Sequence, residues 1–101
     1  MANLGAYFRS RQLPTSIRVK AYSQPPAGRG GRYLATLDPG TYFGPAEAVI
    51  ETDLYTAVLV RGFWMNVAAK ESDGVRWWTR AFAYRVPESE VQRWRMDGWR
   101  D

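Results

Sequence analysis

Turn signals punctuate this chain so often that a long helix has little room between them. Asp38-Pro39-Gly40-Thr41, Gly44-Pro45, Arg61-Gly62 and Asp73-Gly74 each interrupt it. Turn signals at a spacing of roughly 8 to 12 residues indicate a small sandwich or barrel. In Asp38-Pro39-Gly40-Thr41, proline presets φ at the second position and glycine accepts φ > 0 at the third, as a type II turn requires. Asp-Gly between two extended runs is a strong hairpin signal, so a hairpin centred on Ser72 to Gly74 is predicted.

The runs between these turns read as strands. Ile17-Arg18-Val19-Lys20-Ala21-Tyr22 alternates, with Ile17, Val19 and Ala21 facing in. Gln24 to Arg32 is a proline- and glycine-rich loop, and Tyr33 to Leu37 resumes an extended segment. Ala46 to Glu51 is extended or briefly helical, and Tyr55 to Val60 is a β-branched, aromatic strand. Phe63 to Ala69 alternates with Phe63, Met65 and Val67 on one face. Val75 to Val86 reads as a single partner strand carrying Trp77, Trp78, Phe82 and Tyr84. At the start, Leu4, Tyr7 and Phe8 fall at helical spacing, so a turn or two of helix is expected before Leu13-Pro14 ends it. Near the other end, Pro87-Glu88-Ser89-Glu90-Val91 starts a short helix, with proline and acids in its first turn. Val91 and Trp94 lie three apart, placed to pin that helix down.

At 101 residues the chain is expected to form one domain. It contains neither cysteine nor histidine, which excludes disulfides, zinc–thiolate sites and thiol catalysis and removes the commonest general base. No apolar run reaches the roughly 18 residues of a membrane helix. Met1 to Gln12 carries Arg9 and Arg11 and lacks an apolar leader core, so a cytosolic product is expected.

Charge is distributed unevenly. Up to Thr36 there are six basic residues, Arg9, Arg11, Arg18, Lys20, Arg29 and Arg32, and no acid; from Leu37 onward eight basic residues face ten acidic ones. The net +4 therefore arises from a +6 first third against a −2 remainder. Such asymmetry points to a basic arm that meets an acidic surface or a nucleic acid, or to head-to-tail attraction between copies.

The order of strands and turns resembles a bacterial Src-homology-3 domain. The residues that carry the resemblance are Ile17 to Pro25, Tyr33 to Thr41, Arg61-Gly62-Phe63-Trp64-Met65-Asn66-Val67 and Asp73-Gly74-Val75-Arg76-Trp77-Trp78-Thr79. The likeness covers Ile17 to Val86 with an insertion around Thr52 to Val60. It implies a small all-β barrel over 17–86, between an N-terminal arm (1–16) and a short helix with a tail (87–101). It also implies binding of cell-wall peptides, which the arginine-rich first loop and Trp77, standing where the family has glycine, put in doubt.

Little here resembles catalytic machinery. The serines lack a histidine partner, and neither Lys20 nor Lys70 sits in a recognisable motif. Glu47, Glu51 and Asp53 form the one notable carboxylate cluster, and a solvated acidic corner explains it better than acid–base work or a cation site. No enzyme activity, no cofactor and no metal is expected. Arg29-Gly30-Gly31-Arg32 has the residues to grip phosphate but lacks a strand–loop–helix setting. Trp64, Trp77 and Trp78 are candidates to line a groove, as aromatics do in peptide-binding modules. Because Trp77 and Trp78 are adjacent on a strand, they point to opposite faces; one is expected in the core and the other at an interface.

The expectation is therefore a non-enzymatic interaction or assembly module, a small structural or adaptor subunit of a larger complex such as a phage virion or tail. Its protein partners would be met through Arg9, Arg11, Arg29, Arg32, Trp64, Trp77, Trp78 and Trp99. The alternatives are a nucleic-acid-binding barrel and a peptidoglycan-binding module.

Overall fold

The computed structural model describes residues 4–14, 18–24 and 33–94. Among these, nine strands and one helix follow in order: β1 (Tyr7–Ser10), β2 (Lys20–Tyr22), β3 (Tyr33–Thr36), β4 (Tyr42–Phe43), β5 (Ala48–Glu51), β6 (Tyr55–Val60), β7 (Phe63–Ser72), β8 (Trp77–Ala81), β9 (Ala83–Val86) and α1 (Glu88–Trp94). The all-β class is as expected, and all described pairings are antiparallel.

The strands form two sheets. The smaller runs β4-β1-β9; the larger runs β3-β2-β7-β6-β5, with β8 added to β7. Closure into a barrel would require the ends of the larger sheet, β3 and β5, to find further strand partners, and among the described residues they do not. The expected barrel is thus two packed sheets.

Two local expectations are corrected by the small sheet. Tyr7–Ser10 is its central strand, not a helical turn, because Phe8 and Ser10 alternate inward against Phe43 and Ala83 while Tyr7 and Arg9 face out. Tyr7–Ser10, within the segment expected as an arm, is therefore built into a sheet. The single strand expected over Val75 to Val86 is also split, at buried Phe82. Its N–H donates to the Val67 carbonyl and its own carbonyl accepts from the Arg11 N–H. Within one residue the chain leaves β7 and joins β1, a corner of the kind by which a strand switches sheets.

The turns follow their sequence chemistry. Gly40 takes φ +79° and the Thr41 N–H donates to Asp38 O at 3.3 Å, closing the expected turn. Arg61 and Gly62 both have positive φ, 52° and 83°, between Val60 and Phe63, which face each other across β6 and β7. That is a two-residue primed hairpin turn, and the segment resembling an insertion, Thr52 to Val60, supplies β6, an interior strand. Glu47 stabilises this turn by accepting the Arg61 N–H at 3.0 Å. Glu47 and Glu51 consequently sit at opposite ends of β5, about 13 Å apart along the strand, so the expected acidic cluster is not one site.

The core lies between the sheets. Phe43, Met65, Val19, Val58 and Val60 are fully buried, and each such side chain contributes about 1.5–3 kcal/mol on leaving water. Phe8 stacks on Phe43 with centroids 5.5 Å apart. Met65 and Val67 face in as predicted, with Phe63 partly buried beside them. Buried Ser10 is fully used: its hydroxyl donates to Asp38 O at 2.6 Å and accepts the Thr41 N–H at 2.9 Å. On the outer face of the small sheet, α1 packs buried Val91 against Tyr42 and Val86. The helix forms where Pro87 and the acids predict it.

Candidate functional site

Two exposed surfaces carry chemistry beyond packing, and each follows from its sheet. On the outer face of the small sheet, Arg9 lies opposite Tyr42 on one side and Tyr84 on the other. Its guanidinium carbon is 5.0 Å from the Tyr42 ring centre, a cation–π distance. The Tyr42 hydroxyl donates to Glu90 Oε2 of α1 at 2.7 Å. That bond to a carboxylate holds the phenolic proton in place and raises the Tyr42 pKa, with burial acting in the same direction and the Arg9 charge opposing both.

The Ser10 bonds lock the 38–41 turn against β1, so Gly40 lies directly beside Arg9: a Cβ added there would come within 3.3 Å of Arg9 Nη2. A shallow open groove of about 430 Å³ results, walled by Arg9, Arg11, Gln12, Pro39, Gly40 and Tyr84. Arg11 donates from Nη1 to Ala81 O at 3.1 Å, which ties the groove to the end of β8. No carboxylate pairs with Arg9 or Arg11 among the described residues. Chemically, this is a place for an anion beside an aromatic ring.

The second surface is the far end of the β7–β8 hairpin. β7 is ten residues long, about 33 Å. It is flanked by β6 only as far as Ala69 and by β2 only at Trp64 and Met65. Beyond that, Lys70 keeps one backbone bond to Leu54, and Glu71 and Ser72 pair with β8 alone. The hairpin end is thus a two-stranded ribbon with no third described strand at its edges, and residues 72–79 are exposed. Asp73 shapes its tip, with Oδ1 accepting the N–H groups of Val75 at 2.8 Å and Arg76 at 3.0 Å. These bonds to the ionised carboxylate lower the Asp73 pKa. Glu71 and Arg80 form an ion pair across the ribbon.

Trp77 and Trp78 do point to opposite faces, but neither is in the core: they are 66% and 38% exposed. The expectation that one would be buried assumed a covered face, which a projecting ribbon lacks. Val75, 90% exposed at the tip, and Leu54, whose carbonyl accepts the Lys70 N–H, add to the apolar surface. Leu54 and Val75 were not foreseen as contact residues; the signal for them was a lone apolar residue inside a polar turn.

The expected residues therefore separate. Arg9 and Arg11 share one groove, and Trp77 and Trp78 share the ribbon. Trp64, half-buried between Tyr22 and Leu59, is about 26 Å along β7 from Ser72, the residue opposite Trp77, so the candidate three-tryptophan groove does not form. Arg29, Arg32 and Trp99 lie outside the described residues. No group of three or more His, Cys, Asp or Glu among the described residues is placed to hold a metal, and no described helix is long and apolar enough to cross a membrane.

These features define the class: an all-β protein of two packed antiparallel sheets, with one basic–aromatic groove and one aromatic ribbon. Compared with protein-family models, curated proteins and solved structures, the chain matches none.

Proposed function

We propose that this protein is a non-enzymatic interaction and assembly module, a small subunit of a larger complex of the phage virion or tail kind. The observation that carries the proposal is the exposed ribbon end, with Trp77, Trp78 and Val75 in water on the β7–β8 hairpin. Leaving an indole two-thirds exposed forgoes roughly 3–4 kcal/mol of burial. Exposed tryptophans on a fixed scaffold are characteristic of contact surfaces. The likeness to bacterial Src-homology-3 domains belongs to the same reading and rests on the order of strands and turns.

The test is association in solution and with host lysate, read by mass and by capture. Replacing Trp77 and Trp78 together with alanine is expected to abolish assembly while the fold remains. Unchanged assembly would refute the reading.

A second reading, nucleic-acid binding, is favoured by the Arg9–Arg11 groove alone. It predicts affinity for duplex DNA that falls steeply with salt, whereas an interface anchored by tryptophan depends on salt much less.

A further inference from the structure

The ribbon offers backbone as well as side chains, and its hydrogen-bond phase shows which groups are free. The Phe82 N–H donates to Val67 O and the Asp73 N–H to Arg76 O. In an antiparallel ladder, bonded pairs alternate with non-bonded ones, so Ala69 with Arg80 and Glu71 with Trp78 are the bonded pairs between. The amides and carbonyls of Trp77, Thr79 and Ala81 therefore point away from β7. Among the described residues no strand pairs with that side of β8, and Arg11 Nη1 donates there to Ala81 O.

We infer that β8 pairs antiparallel with β8 of a second copy, about a two-fold axis at Thr79. The inference rests on the reading of the ribbon as a contact surface and names its partner. Two-fold pairing of antiparallel strands sets each residue opposite one of the same facing, so the candidate registers are few. With the axis at Thr79, the two Thr79 residues exchange both backbone bonds, and Trp77 exchanges bonds with Ala81 of the other copy. About six backbone bonds form between free groups, and the Ala81 carbonyl keeps a lone pair for Arg11.

Charge selects the register. About Thr79, Trp78 of one copy faces Arg80 of the other in a close, non-bonded pair, so a guanidinium meets an indole at both ends. Moving the axis to Trp78 would set Arg76 against Arg80, and moving it to Arg80 would set that residue against itself. Like charges directly opposite are unfavourable. An exposed edge is ordinarily blunted by proline, a bulge or an inward-pointing charge. β8 runs Trp77-Trp78-Thr79-Arg80-Ala81, β-prone and without proline, so every residue of its edge keeps a backbone donor for a second strand.

The experiment measures self-association by sedimentation equilibrium and by cross-linking. The chain has no cysteine, so Thr79→Cys reports only contact with another copy. Bonded antiparallel partners lie about 5.5 Å apart at Cα, within disulfide reach. Under mild oxidation Thr79→Cys is expected to form a covalent dimer, whereas Ser89→Cys, exposed on α1, is not. Thr79→Pro removes an N–H that faces away from β7 and is expected to weaken dimerisation roughly ten- to a hundredfold.

A monomeric wild type together with an unreacted Thr79→Cys overturns the self-pairing. If Trp77→Ala with Trp78→Ala then still removes capture from lysate, the contact surface stands with a different partner. If it removes nothing, both readings fall.

Discussion

The two halves of β7 share one strand, one alternation and unlike surroundings. From Phe63 to Ala69 the strand has β6 on one side, and Met65 and Val67 are sealed in the core. At Glu71 and Ser72 it has β8 alone, and the indoles opposite stand in water. Alternation decides which way a side chain points. Whether that direction is dry depends on what lies across it, which is a property of topology. The same backbone pattern thus supplies stability at one end and contact chemistry at the other.

That contrast predicts a large asymmetry in mutational cost. Phe43→Ala removes a fully buried ring and its stacking on Phe8 and is expected to cost about 3–5 kcal/mol in urea unfolding. Gly44→Ala is next. Gly44 has φ +143°, and an added Cβ would come within 2.9 Å of the Ala6 carbonyl oxygen and Tyr7 Cα, both backbone. Strain and overlap together should cost roughly 2–4 kcal/mol. A loss below about 1 kcal/mol for either would mean that the packed half is looser than its burial indicates.

Much of the packed half was legible in the sequence. The Pro39-Gly40 turn, the inward face of Met65 and Val67 and the start of α1 follow from local chemistry and are found. At the ribbon end the expected hairpin forms too, but its turn centres on Gly74-Val75 rather than on Ser72 to Gly74, because β7 runs on through Ser72 and Asp73 pairs with Arg76. What was not legible depends on distant parts of the chain. Leu4, Tyr7 and Phe8 have the spacing of a helix, and it is pairing of β1 with β4 and β9 that makes Tyr7–Ser10 a strand. Phe82 looks like any strand residue, yet Arg11, 71 positions earlier, draws its carbonyl into a corner. Of the candidate site, the arginine–tyrosine groove was half visible in Arg9 and Arg11, while Tyr42 and Tyr84 join it only through register. The tryptophans were identified as contact residues, but how far their strand outruns its neighbours could not be read from spacing.

Smaller effects sharpen the comparison. Ser10→Ala removes the acceptor of the buried Thr41 N–H and is expected to cost about 1–3 kcal/mol, because this turn belongs to the packed half and sets the position of Arg9. Trp77→Ala is expected to change unfolding stability by no more than about 0.5 kcal/mol, as at other exposed sites. A loss of 2 kcal/mol or more, about what a core side chain costs, would show that the indole is covered and would remove the distinction between the two halves of β7.

The smallest expected effect belongs to the ribbon tip, and it depends on pH. Asp73 accepts the Val75 and Arg76 amides most strongly while its carboxylate is ionised, and those bonds lower its folded pKa. A lowered folded pKa means that the unfolded tip binds the proton more readily. The contribution is therefore complete above the ordinary aspartate range and fades as pH falls through the lowered value, below which both states are protonated. Asp73 is exposed, so global stability should hardly register the change. Local exchange should: protection of the Val75 and Arg76 amides, corrected for the intrinsic exchange rate, is expected to fall in that acid window while Met65 and Val58 keep theirs. Asp73→Asn is expected to flatten this pH dependence, because the amide oxygen accepts hydrogen bonds without titrating. Loss of protection at all four positions together would mean that the tip and the core open as one unit, and the ribbon would then not be an independent part of the fold.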